Sequence, residues 1–186
     1  MMRKAAGIVG AVALAVVAFG ATRLVTSGRW YRIPQNGMYP GLPSGSYLLV
    51  RPHPYELPSE VRRGDIVVFT RVEKGALYNY IWRVIGLPGD AMEVSGRKVA
   101  VNGVDLPRQA ARDEGDFAIF RESNAGAVYE VAYPKVAVER EPPAASITVP
   151  AGCIFVLGDN RYNAVDSRYF GPVPFETVIG KKIWAP

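Results

Sequence analysis

This sequence predicts a mostly β domain behind a single N-terminal membrane anchor. Three observations carry that class: an apolar stretch set between charges at the N-terminus, short apolar runs punctuated by Gly and Pro, and the overall composition. The 186 residues suffice for one compact domain with a small elaboration. Hydrophobic residues make up 49%, and 19 Gly with 15 Pro favour many short strands over long helices.

Along the chain, Arg3 and Lys4 precede an uncharged apolar stretch from Ala5 to Thr22, closed by Arg23. As a helix rising about 1.5 Å per residue it spans roughly 27 Å, just enough for a bilayer core. Arg3 and Lys4 favour an inside N-terminus against a counter-bias from Arg23, Arg29 and Arg32, so the main domain is expected to face outward. A helix buried in a soluble core would find no partner helix in the strand-rich remainder, which leaves two readings for this segment. One is an uncleaved anchor over residues 1–28 with a short cytoplasmic end; the other is a leader removed at Ala18-Phe19-Gly20, whose small residues suit processing.

Residues 29–186 form the β domain. Trp30 and Tyr31 suit the headgroup region. Ser46 to Arg51, Asp65 to Arg71, Tyr80 to Ile85, Lys98 to Val101, Val128 to Tyr133, Ile147 to Val149 and Cys153 to Leu157 read as strands. Lys98 to Val104 reads as a hairpin, because Asn102-Gly103 readily takes the positive φ angles of a tight turn. Arg108 to Ala127 is polar, charged and poorly periodic, and reads as part of an excursion from the core over about 105–146.

Charge and rare residues exclude several function classes. The net charge of +5 comes without a basic run or a basic helix, which fits a protein beside an anionic membrane and argues against a nucleic-acid partner. One Cys excludes a disulfide framework or a thiolate metal cluster, and one His excludes a His-rich site. No metal or cofactor is expected. Cys153, followed by Ile154, Phe155 and Val156, reads as a buried strand thiol.

Four ordered boxes remain. They are Ile33-Pro34-Gln35-Asn36-Gly37-Met38-Tyr39-Pro40, Arg63 to Phe69, Tyr80 to Asp90, and Pro150 to Arg168 with its Gly-Asp-Asn-Arg and Asp-Ser-Arg elements. Together they resemble bacterial type I signal peptidase, serine peptidase family S26. Gly171-Pro172-Val173-Pro174 through Gly180-Lys181 follows that family's closing pattern. The resemblance runs from Ile33 to the C-terminus, apart from the excursion. It implies a signal-peptidase-like fold of coiled antiparallel sheets with one N-terminal transmembrane helix. The implied location is the bacterial cytoplasmic membrane, single-pass, with the main domain on the outer face.

In that family a Ser hydroxyl attacks the peptide carbonyl and a neutral Lys takes its proton. Here the nucleophile's position before Met38 holds Gly37, which has no side chain. The base position between Ile81 and Arg83 holds Trp82, whose indole N–H only donates. Ala164 stands where a Ser would orient the lysine, and Gln35, still a donor, stands at the oxyanion position. By contrast Arg83, Asp159, Asn160, Arg161, Asp166, Ser167 and Arg168 are retained. They are expected to hold the last box against the strands by charge-assisted hydrogen bonds, with Arg161 and Arg168 as ion-pair partners for Asp159 and Asp166.

The family adds its substrate as a strand beside the first box. Ile33, Pro34, Met38, Tyr80 and Ile81 are expected to line that groove. Trp82 fills the active-site pocket, stacks on a bound side chain, or simply repacks the space. As replacement groups, Ser44 and Ser46 read as turn hydroxyls, Ser167 as scaffold, Lys74 and Lys98 as solvated amines, and His53 as a surface residue between prolines. The expectation is a membrane-anchored relative that binds extended peptides or signal-peptide regions without cutting them, or that assists an active signal peptidase. The alternative is an active serine-type endopeptidase that removes signal peptides with unconventional groups.

Overall fold

The computed structural model describes residues 28–185. The anchor expected over residues 1–28 therefore lies almost wholly outside the described residues. Among those described, no helix is long and apolar enough to cross a membrane.

The chain opens with β1 (Arg29–Arg32), β2 (Tyr47–Pro52), β3 (Ile66–Glu73) and β4 (Ala76–Gly86). It continues through β5 (Ala91–Ser95), β6 (Lys98–Val101), β7 (Val104–Asp105), β8 (Arg108–Glu114), β9 (Phe117–Asn124) and β10 (Ala127–Pro134). It closes with β11 (Ala145–Thr148), β12 (Cys153–Leu157), the single-turn helix α1 (Ser167–Phe170), β13 (Val173–Pro174) and β14 (Val178–Trp184). A seven-stranded sheet runs β1-β2-β14-β3-β4-β12-β13, beside a three-stranded sheet β10-β9-β8 and a four-stranded sheet β11-β5-β6-β7. The strand pairings are antiparallel, and the mostly β class stands.

Two hydrophobic cores result, and β12 separates them. Its continuous apolar run reflects burial on both faces. Ile154 and Val156 enter the core that holds Val67, Phe69 and Trp82, while Phe155 and Leu157 enter the core that holds Met92, Val99 and Tyr133. Side chains alternate across a strand, so one five-residue element serves both. The expected hairpin is present: β6 and β7 meet across Asn102 and Gly103, with φ of 54° and 76°. Lys74 and Gly75 make the corresponding turn of the long β3–β4 hairpin, at φ of 50° and 80°.

The segment from Arg108 to Ala127, read as part of an excursion from the core, is strand. It forms β8 and β9, and β9 buries Ile119, Glu122 and Asn124. Two of those three inward residues are polar, which broke the apolar alternation that marks a strand. The segment thus supplies two strands and sets three side chains among the buried residues. Strand β5 also escaped the reading, since its buried Met92 and Val94 are only two apolar positions on a short element.

Candidate functional site

The site lies where β4 outruns its neighbour. Strand β12 pairs with β4 only through Arg83, Val84 and Gly86, whereas β3 pairs with it from Ala76 to Arg83. Among the described residues, the second edge of β4 from Ala76 to Trp82 pairs with no strand. The first box runs alongside. It is held by the Ile33 amide donating to the Ser46 carbonyl and the Gly45 amide donating to the Ile33 carbonyl, both at 2.8 Å. Ile33 and Met38 are buried, which seats the box on the core. Between box and strand lies a groove of about 210 Å³.

Ile33, Pro34, Met38, Tyr80 and Ile81 all line this groove, with Gln35, Gly37 and Trp82. Sequence reading missed Tyr78 and Asn79, which line it as well. A signal for Tyr78 was present: Tyr78, Tyr80 and Trp82 recur at every second residue and so share one face of β4.

The floor is built from residues without side-chain bulk. A Cβ on Gly37 would sit 2.6 Å from Trp82 Cζ3 and closer still to Cη2, well inside the 3.5–4.0 Å at which carbon atoms pack. A Cβ on Gly158 would meet the Gly37 carbonyl oxygen at 2.6 Å and Trp82 Cζ3 at 3.1 Å, and would overlap the Ala164 methyl. Gly37 and Gly158 therefore leave room for the indole, Ala164 belongs to the same core, and Trp82 is only 3% exposed. The ring closes over the space beside Gly37. The Asn160 amide donates to the Gly37 carbonyl at 3.1 Å and joins the last box to the first. Among the described residues, Trp82 Nε1 and both side-chain polar atoms of Asn160 are buried without a hydrogen-bond partner.

Around this apolar floor stands a shell of paired charges. Arg83 Nε and Nη2 donate to the two Asp159 carboxylate oxygens at 2.7 and 2.6 Å, and Nη1 donates to the Gly64 carbonyl at 2.8 Å. Burial opposes the Arg83 charge, but Asp159 outweighs it and holds the guanidinium above its ordinary pKa. Arg161, 1% exposed, pairs with Glu122, 0% exposed, at 2.9 and 2.5 Å. Burial again opposes the charge, and Glu122 raises the Arg161 pKa well above its usual value. Asp166 takes Arg168 Nε and Nη2 at 2.8 and 2.7 Å, and its Oδ2 also accepts the Gly158 amide at 3.0 Å. Ser167 Oγ accepts the Val156 amide at 3.0 Å.

The expected pairing of Arg168 with Asp166 is present. That of Arg161 with Asp159 is not: Asp159 turns to β4 and Arg161 to β9. Their backbones are tied to the Ala132 strand, Asp159 through its carbonyl and Arg161 through its amide, so the side chains diverge to partners distant in sequence. Glu122 carried no signal in the sequence.

The replacement groups lie elsewhere. Ser44 Oγ donates to the Pro34 carbonyl and Ser46 Oγ to the Pro43 carbonyl, as turn hydroxyls do. His53 is exposed, Lys74 sits in the exposed hairpin turn, and Lys98 pairs with Glu93 at 3.1 Å. Cys153 is partly buried, and burial pushes its thiol up, away from a thiolate. Lys182, unremarked in the sequence, is half-buried; burial and then Arg83 lower its pKa, yet it does not line the groove. Among the described residues, no serine, threonine, cysteine, lysine, histidine or carboxylate lines the groove.

Comparison with known proteins agrees with the boxes. The family model for signal peptidase, peptidase S26, matches residues 4–185. A signal peptidase I of Bacillus caldolyticus is 36% identical over 161 residues, covering 81% of this chain and 75% of that protein. One from Leptolyngbya laminosa is 32% identical over 174 residues, covering 90% and 72%. One from Pseudomonas fluorescens is 33% identical over 177 residues, covering 81% of this chain and 62% of its own length. The chain belongs to the peptidase S26 signal peptidase family.

Proposed function

We propose that this family member is a membrane-anchored peptide-holding protein that does not cut the peptides it binds. One observation carries the reading: the Trp82 indole occupies the space that any side chain at position 37 would need. Hydrolysis by the family's route needs a hydroxyl at 37 and an amine at 82, and the indole accepts no proton. The absence of a substitute nucleophile or base among the groove's described lining residues supports the same conclusion. The unpaired edge of β4 suits an extended peptide added as a further strand.

In this reading the N-terminal segment anchors the chain in the bacterial cytoplasmic membrane, with the β domain on the outer face. The bound species is a signal-peptide region or another extended peptide. An active signal peptidase is a further partner, whose specificity the protein would tune.

Purified full-length protein incubated in detergent with a preprotein bearing a small-x-small site should leave it uncut. The paired change Gly37→Ser with Trp82→Lys should produce measurable cleavage, and adding Ala164→Ser should raise the rate. Reproducible cleavage by the unaltered protein, lost on changing Ser44, Ser46 or His53, would establish the active-enzyme reading instead.

A further inference from the structure

Resting on the peptide-holding reading, we infer that the groove selects one bulky, uncharged apolar side chain of an extended peptide rather than a small one. The volume sets the scale. About 210 Å³ falls below the roughly 300–1,000 Å³ of small-molecule sites, and suits a single large side chain. A methyl group would leave most of it unfilled. Because Trp82 closes the space over Gly37, the open volume lies beside Tyr78 and Tyr80 on one wall and Ile33 and Met38 on the other.

The walls are fixed before a ligand arrives. Tyr80 stacks on Phe69 at 5.7 Å between centroids and meets Phe170 edge-on at 5.9 Å. Burial raises its phenol pKa, and the nearby Glu73 adds to the rise. Tyr80 and Trp82 stand 6.4 Å apart, tilted by 45°. Exposure falls along this face of β4 from 51% at Tyr78 to 3% at Trp82, so the aromatic wall descends from rim to floor. A preorganised aromatic cleft takes a third ring or a branched alkyl group in offset or edge contact at little reorganisation cost.

Polarity points the same way. The lining offers amides at Gln35 and Asn79 and phenols at Tyr78 and Tyr80, but no charged residue. A charged side chain entering it would lose water and gain no counter-ion. Strand pairing along the open β4 edge would fix the register of the peptide. Alternate side chains then face opposite ways, so only every second residue can turn toward the cleft.

The test uses full-length protein in detergent micelles and fluorescein-labelled Ser/Thr peptides, identical except for one central residue: Phe, Leu, Ala or Glu. Anisotropy titrations should give Phe and Leu at least about tenfold tighter binding than Ala, with Glu weakest. Tyr80→Ala should bring the Phe-to-Ala ratio toward unity while the protein stays folded by circular dichroism. An Ala peptide that binds as tightly as Phe, or a ratio untouched by Tyr80→Ala, overturns the selectivity and leaves peptide holding intact. Binding of none of the four overturns both.

Discussion

The floor of the groove and the last-box framework lie side by side, and they are buried by opposite means. Around Trp82 the chain packs an indole against Gly37, Gly158 and Ala164, and accepts polar atoms without partners at Trp82 Nε1 and Asn160. Around Arg161 it buries full charges, each met by a bidentate partner. The two meet at the Asn160 amide on the Gly37 carbonyl, the Gly158 amide on the Asp166 carboxylate and Arg161 Nε on the Gly158 carbonyl.

Breaking the charged shell should have the largest effect. Glu122→Ala leaves Arg161 buried without a counter-ion, and should cost about 3–5 kcal/mol in denaturant unfolding. A loss below that of the glycine change described next would show that the charges do not hold this region.

Intermediate effects belong to the floor. Gly37→Ser alone should destabilise by about 1–3 kcal/mol through overpacking against the indole. In a Trp82→Ala background, itself about 3–5 kcal/mol less stable, the same serine should cost far less, giving a coupling of about 0.5–3 kcal/mol. Additive costs would mean the two positions are not in contact.

The smallest effect lies on the seam that both regions share with the β8–β9 hairpin, whose strand β9 also supplies Glu122. Tyr39 packs on Phe117 at 5.3 Å between centroids. Its phenol is pushed up to about 12 by burial, aided by a hydrogen bond to Glu114. A folded pKa above the unfolded value of about 10 means the contribution is complete below pH 10 and is lost as pH climbs toward 12. Tyr39→Phe should flatten that part of the stability-versus-pH curve, measured by chemical denaturation at stepped pH.

Much of this contrast was legible in the sequence, though unevenly. The groove residues Ile33, Met38, Tyr80 and Ile81 were named from their boxes and do line one cavity. Asp166 with Arg168 was read correctly because the two are nearly adjacent and the pairing is local. The partner of Arg161 was not, because Glu122 sits on a strand whose inward polar residues break the apolar alternation. Gly158 was quoted within a motif, but nothing local revealed that its missing Cβ makes room for Trp82.

By itself, the sequence determined the β-rich class, the Asn102-Gly103 hairpin, the order of the boxes and the side-chain types at 37, 82 and 164. Those are properties of composition, period-two patterning and turn chemistry, all set within a few residues of one another. Only the tertiary structure decided that Gly37 and Gly158 close on the Trp82 indole with Ala164 in the same core, that β4 keeps an open edge, and that Arg161 reaches Glu122. Strand register and sheet packing set those meetings, and they join residues far apart in sequence whose local patterns carry no record of each other.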